Sequence, residues 1–139
     1  MKFRASVDGA ARNNPGPAGA GVYVEPEGDR PAEEIFEPLG STTNNVAEYR
    51  ALLLALTRAE ELGADEVEIR SDSRLLVEQV NGKFRVKAEH LKPLMAEAVT
   101  RAKRFRRFSL THIARERNRE ADRLANLGAD ASELTDAGP

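Results

Sequence analysis

The chain has 139 residues, enough for one core and too few for two domains, and it lacks cysteine, which excludes a disulfide framework and any thiolate metal site. No apolar run approaches the ~20 residues of a membrane helix. The opening Met1-Lys2-Phe3-Arg4 has no signal-peptide core, so a cytoplasmic protein with no membrane partner is expected. The net charge of −2 hides a division: residues 83–123 hold 13 Lys/Arg against 5 Asp/Glu, a net of +8, and the rest holds 8 basic and 18 acidic residues. That asymmetry fits a face built for a polyanion, or a basic helix that is simply solvated.

Residues 2–8 alternate, with Phe3, Ala5 and Val7 on one side and Arg4, Ser6 and Asp8 on the other, which predicts a strand with one buried face. A turn follows in Asn13-Asn14-Pro15-Gly16-Pro17, then a strand over 19–24, a turn holding Pro26 and Gly28, and a strand over 33–39. Short connections make these three an antiparallel meander. Residues 41–45 offer several helix N-caps, and Leu52, Ala55, Leu56 and Ala59 recur at helical spacing until Gly63. A short strand is predicted over 67–71, and Asp72-Ser73 opens a helix to about Val80. A longer helix is predicted over 88–104, with Pro93 setting a kink or a later start near Lys92. A fifth strand is expected over 108–114 and a last helix over 118–127, stopped by Gly128. Residues 129–139 read as a flexible tail after a domain spanning 1–128. Strands separated by helices pair in parallel through crossovers. The expected fold is therefore α/β: a five-stranded mixed sheet, three antiparallel strands and then parallel ones, with helices on both faces.

Four carboxylates stand where a surface acid is not the obvious choice. Asp8 ends the first strand, next to Gly9, which allows close backbone approach. Asp72 ends the fourth strand, and strand ends are where α/β sites form; turn residue and helix N-cap are the alternatives. Glu48 lies on the apolar stripe of its helix, one turn before Leu52, so it points toward the sheet or rests at its rim on the helix dipole. Asp122 neighbours the apolar Ala121, Leu124 and Ala125, or pairs with Arg119 or Arg123. Taken together, an all-oxygen set suits Mg²⁺ or Mn²⁺, and two such ions can clamp an in-line phosphoryl displacement. Without a cation, carboxylates this close repel one another.

These residues carry a resemblance. Asp8-Gly9 with Asn14-Pro15-Gly16-Pro17, Thr43-Asn44-Asn45-Val46-Ala47-Glu48, Ser71-Asp72-Ser73, and Asn118 with Ala121-Asp122-Arg123-Leu124-Ala125 occur in the order found in type 1 ribonucleases H. The chain resembles that family from Asp8 to Gly128. The resemblance implies a ribonuclease H-like sheet and two Mg²⁺ ions, replaceable by Mn²⁺, held by Asp8, Glu48, Asp72 and Asp122. It implies hydrolysis of the RNA strand of an RNA·DNA hybrid to 5′-phosphate and 3′-hydroxyl ends; the sequence does not carry the oligomeric state, for which a monomer is the default. Asn14 and Asn45, with Asn44 as a weaker candidate, would meet the substrate backbone in the minor groove, and Gly9 and Ser73 would flank it. The 2′-hydroxyl would mark the RNA strand.

Two departures from the family are visible. The loop before the last aspartate is short, Ile113 to Asn118, and lacks the mobile His of many members. His112 alternates with Phe108 and Leu110 and reads as a packed histidine, and His90 reads as surface. Arg115 is the candidate for the loop role, since a guanidinium can hold a phosphate or leaving group. The basic protrusion of some members is also missing, with Lys83, Arg85 and Lys87 as a partial replacement. The cluster Arg101, Lys103, Arg104, Arg106 and Arg107 reads as further phosphate contacts or as a solvated helix end. This compact form resembles the short prokaryotic and archaeal branch, and leaves double-stranded RNA open as a second substrate. A resolvase-type nuclease on the same fold and a non-catalytic hybrid-binding module remain the alternatives.

Overall fold

The strand predicted over residues 2–8 runs on through Ala11 in the computed structural model, which describes residues 1–136; its alternation of burial holds as far as Val7 and breaks at Asp8, which is buried as well. The strands are β1 (Lys2–Ala11), β2 (Gly16–Val24), β3 (Glu33–Thr42), β4 (Glu66–Ser71) and β5 (Arg107–His112). The helices are α1 (Asn44–Glu61), α2 (Arg74–Val80), α3 (Lys92–Ala102) and α4 (Arg119–Asp136), with short 3₁₀ turns at Glu89–Leu91 and Arg115–Arg117. The strands lie in the order β3-β2-β1-β4-β5, antiparallel on the β3 side and parallel from β1 to β5. This is the expected mixed sheet. Central β1 pairs Val7 with Ser71 of β4, so the next residues, Asp8 and Asp72, emerge side by side at one end of the sheet. No helix among the described residues is long and apolar enough to cross a membrane.

One face of the sheet carries the main core. Phe3, Ala5, Val7, Val22, Val24 and Ile69 bury against Tyr49, Leu52 and Leu56 of α1, with Leu91 and Ala98 behind them. The stripe seen in the sequence is the one that packs, which is how helices gain most of their stability. Thr43 caps α1, its hydroxyl accepting from the Val46 N–H at 3.2 Å. Pro93 sits in the first turn of α3, where a missing N–H costs nothing, so the later start near Lys92 is the one observed.

The opposite face belongs to α4, and here the sequence reading needs correction. Gly128 does not end the helix, which continues to Asp136. A Cβ on Gly128 would lie 2.6 Å from the Glu37 carbonyl oxygen. A Cβ on Gly19 or Gly21 of β2 would meet the α4 backbone at 2.3 and 2.4 Å. The glycine is there so that helix and sheet can touch backbone to backbone, not to break the helix. The expected flexible tail is thus helical and partly buried. Ser132 is 1% exposed, donates to the Ala18 carbonyl at 2.6 Å and accepts from the N–H groups of Leu39 and Gly40, both at 3.1 Å. It pins the place where the β2–β3 register shifts, between Ala18 and Gly19. Residues 137–139 of that predicted tail lie outside the described residues.

β5 also differs from expectation. It ends at His112, and His112 is exposed rather than packed. β5 is an edge strand; Leu110 is buried and Phe108 half-buried, but the helices do not reach the last residue. His90 is on the surface, as expected. The Arg101–Arg107 cluster sits at the end of the sheet opposite Asp8, and three of its members, Arg101, Arg104 and Arg106, lie against acids. Arg101 bonds Glu60 at 3.3 Å and Thr57 at 2.7 Å, and Arg106 bonds Glu66 at 2.5 Å. Arg104 lies 3.9 Å from Glu60. Arg104 and Arg106 remain largely exposed, and Lys103 and Arg107 are exposed with no ion pair among the described residues, in keeping with the solvated-end reading.

Candidate active site

Backbone geometry at the end of β1 draws the carboxylates together. A Cβ on Gly9 would lie 2.4 Å from the backbone of Ala47 and Glu48, so only glycine lets α1 come this close. The Gly9 N–H then donates to Glu48 Oε1 at 2.9 Å. Glu48 therefore points toward the sheet, 8% exposed, and its Oε2 is buried without a hydrogen-bond partner. Asp8 is 6% exposed beside it. Asp72 does not cap α2; Ser73 does, accepting from the Leu76 N–H at 3.2 Å, which leaves the Asp72 carboxylate free to face the cleft. Asp8, Glu48 and Asp72 each offer an oxygen within 4.8 Å of the others.

Asp122 joins from the first turn of α4, half-buried and lining the same cleft, just outside that tight group of three. It is not neutralised by its neighbours: Arg123 bonds Glu34 and Glu120 instead. Asn126, one turn on, donates to the Asp122 carbonyl at 2.9 Å and to its Oδ1 at 3.4 Å. Arg12 donates to Asn126 and is held in turn by Asp130 at 2.6 Å and Glu133 at 2.9 Å. Sequence reasoning missed Arg12 and Asn126. The only signal for them was the i, i+4 spacing of Asp122 and Asn126.

The electrostatics follow from this crowding. Burial, then the Glu48 and Asp72 charges, push the Asp8 carboxyl far above the ordinary carboxylate range. Burial also raises Glu48, against the lowering effect of the Gly9 N–H. In the absence of a cation, one proton or more stays in the cluster at neutral pH. A buried carboxylate oxygen without a donor, among oxygens only, is what a hard divalent cation would satisfy, so these residues fit such an ion.

The cleft has a volume of about 480 Å³, and Asn44, Asn45, Ser73 and Arg115 line it with the carboxylates. Asn44 is partly committed to the protein, its Oδ1 accepting from the Ala11 N–H at 2.8 Å. Asn14 lies beyond the lining and braces α1, accepting from the Asn44 N–H at 2.9 Å. Asn45 is exposed and makes no side-chain hydrogen bond among the described residues. Asn45 also lines a neighbouring cleft of about 530 Å³ with Lys83, Phe84, Arg85 and Lys87. Unlike Arg101 and Arg106, those three basic residues form no ion pair among the described residues.

A mixed sheet of this order, with a carboxylate group at the ends of its central strands, defines the ribonuclease H-like class of α/β proteins. The family model described as "Reverse transcriptase-like" matches residues 6–128. The chain is 43% identical along its whole length to the bifunctional protein Rv2228c of Mycobacterium tuberculosis and spans 39% of that relative. The N-terminal RNase H domain of the same protein superposes with a TM-score of 0.90 at 42% identity, covering 97% of this chain and 98% of that one. RNase H1 of Halobacterium salinarum superposes with a TM-score of 0.88 at 37% identity, covering 94% and 99%. A structure of LC11-RNase H1 in complex with an RNA/DNA hybrid superposes at 0.84 with 38% identity, covering 94% and 98%. This chain belongs to the type 1 ribonuclease H family.

Proposed function

We propose that the chain is an endoribonuclease that hydrolyses the RNA strand of RNA·DNA hybrids. The observation that carries the reading is the trio Asp8, Glu48 and Asp72, buried or half-buried, within 4.8 Å, none of which forms an ion pair among the described residues. Family membership and a relative crystallised with an RNA/DNA hybrid support the choice of substrate. The relatives' names favour neither a resolvase nor a binding module.

Asp8, Glu48, Asp72 and Asp122 are proposed to hold two Mg²⁺ ions, with Mn²⁺ able to substitute. Bound there, the ions supply an activated water and neutralise charge on the phosphoryl group. Water adds in line to phosphorus and the P–O3′ bond breaks, leaving a 5′-phosphate and a 3′-hydroxyl. Gly9 holds Glu48 by its N–H, and Ser73, by capping α2, leaves Asp72 free. Asn45, with Asn44, lines the cleft and is proposed to meet the minor groove. Asn14 acts at one remove, through Asn44. Arg115, exposed and at the cleft, is proposed to meet the leaving group or a phosphate. Lys83, Arg85 and Lys87 extend the contact to phosphates along the neighbouring cleft. A monomer in the cytoplasm is the setting we assume, and double-stranded RNA is the second substrate to test.

The test is cleavage of matched RNA·DNA, RNA·RNA, DNA·DNA and single-ribonucleotide duplexes with Mg²⁺, Mn²⁺ or chelator. Metal-dependent cutting of the hybrid's RNA strand is expected. No cutting of any duplex with either metal would leave only the binding module. Cutting of RNA·RNA would widen the substrate range.

A further inference from the structure

Asn118 is 1% exposed at the start of α4, and its amide faces the carboxylates. Its Nδ2 donates to the Val7 carbonyl at 3.0 Å and to Asp72 Oδ2 at 3.1 Å. Its own carbonyl accepts from the Asp122 N–H at 3.1 Å. Its Oδ1 is buried and has no hydrogen-bond partner among the described residues. An asparagine before a helix ordinarily turns that oxygen to the free N–H groups of the first turn. Here the amide is turned the other way, and a buried acceptor goes unsatisfied so that both N–H bonds can be made. A side chain serving α4 alone would not be oriented like this.

The three bonds converge on one strand end. Val7 precedes Asp8 and Gly9 follows it; Gly9 fixes Glu48, and Val7, through Asn118, fixes Asp72. Residues 7–9 are thus a common reference for three carboxylates, and the Asn118 backbone ties in the fourth. Among the described residues Asn118 supplies the only side-chain hydrogen bond to the Asp72 carboxylate. We infer that Asn118 is a positioning residue: its amide sets the Asp72 carboxylate relative to Asp8, and cation affinity and turnover depend on that setting. The inference rests on the proposed cation site. Residues that orient ligating carboxylates typically carry about 10–100-fold in metal affinity or activity.

The experiment is calorimetric titration of Mn²⁺ into substrate-free protein, for wild type, Asn118→Ala, Asp72→Asn and the double variant, with hybrid kinetics alongside. Asn118→Ala is expected to weaken Mn²⁺ binding about tenfold or more and to lower kcat with little change in KM for the hybrid. In the Asp72→Asn background the same change is expected to add little, because the residue acts through Asp72. Asn118→Ser keeps one donor and is expected to fall between, and it carries the test if the alanine variant does not fold. Folded variants with wild-type Mn²⁺ affinity, or a full additional loss in the Asp72→Asn background, would overturn the inference. Wild type failing to bind Mn²⁺ would instead overturn the cation site itself, so the two failures are distinguishable.

Discussion

The two ends of the sheet use the same residue types to opposite effect. At the end where β4 and β5 begin, every acid of the cluster has a cation: Asp65 bonds the N-terminal amine at 2.6 Å, Glu66 bonds Arg106, and Glu60 bonds Arg101. At the end where β1 and β4 finish, Asp8, Glu48 and Asp72 stand together and none of them forms an ion pair among the described residues. The first end is a solvated network in which each pair adds little. The second stores repulsion and burial cost inside the fold. A protein gains nothing in stability from such an arrangement, and that imbalance is what marks it as a site.

The comparison breaks most visibly if one charge is removed from the second end. Asp8→Asn is expected to bring hybrid cleavage below detection while raising the melting temperature of chelator-treated protein. A stable variant that still cleaves would sink the proposed role of Asp8. Next in size is the response to pH and cation. Asp8 and Glu48 are raised above their ordinary values of 3.8 and 4.5, so above those values the unfolded chain releases protons that the folded chain keeps. Stability without cation should therefore fall as pH climbs from that range past neutrality. Mg²⁺ removes the penalty, so the gain in melting temperature between chelator and Mg²⁺ should be larger at pH 8 than at pH 5. An equal gain at both would contradict it. Ser132→Ala should cost about 1–3 kcal/mol in denaturant unfolding, because it strands the Leu39 and Gly40 N–H groups and the Ala18 carbonyl. Smallest, Arg106→Ala at the paired end should shift stability less than Ser132→Ala, and the shift should vanish in high salt.

Local alternation made much of the fold legible. Phe3, Ala5 and Val7 declare a one-faced strand, and Leu52 and Leu56 declare the α1 stripe, because each pattern reports a single buried face. The letters that misled are those whose meaning depends on a distant partner. Gly128 reads as a helix stop, and only β2 and β3 lying against α4 turn it into a point of close packing. His112 continues an apolar alternation that outlasts its cover on an edge strand. Arg101 and Arg106 look free until Glu60 and Glu66, about 40 residues away in sequence, come beside them. The site shows the same limit. Asp8, Glu48, Asp72 and Asp122 could be picked out from their positions in strand and helix. Whether Asp72 caps α2 or faces the cleft was decided by Ser73 taking the cap. Of the supports, Asn126 is marked only by its i, i+4 spacing from Asp122, and Arg12 carries no pattern of its own that sets it apart from a surface residue.

The hydrogen bond from Asn118 to Val7 spans 111 positions in the chain. Synthesis proceeds from the N-terminus, so β1 to β4 leave the ribosome well before the segment that ties Asp72 to the strand of Asp8. A nascent chain can bring β1 and β4 together, yet Asp122 and its asparagine anchor arrive only with α4. Laid out in this order, the chain completes its set of four carboxylates only when α4 has been made.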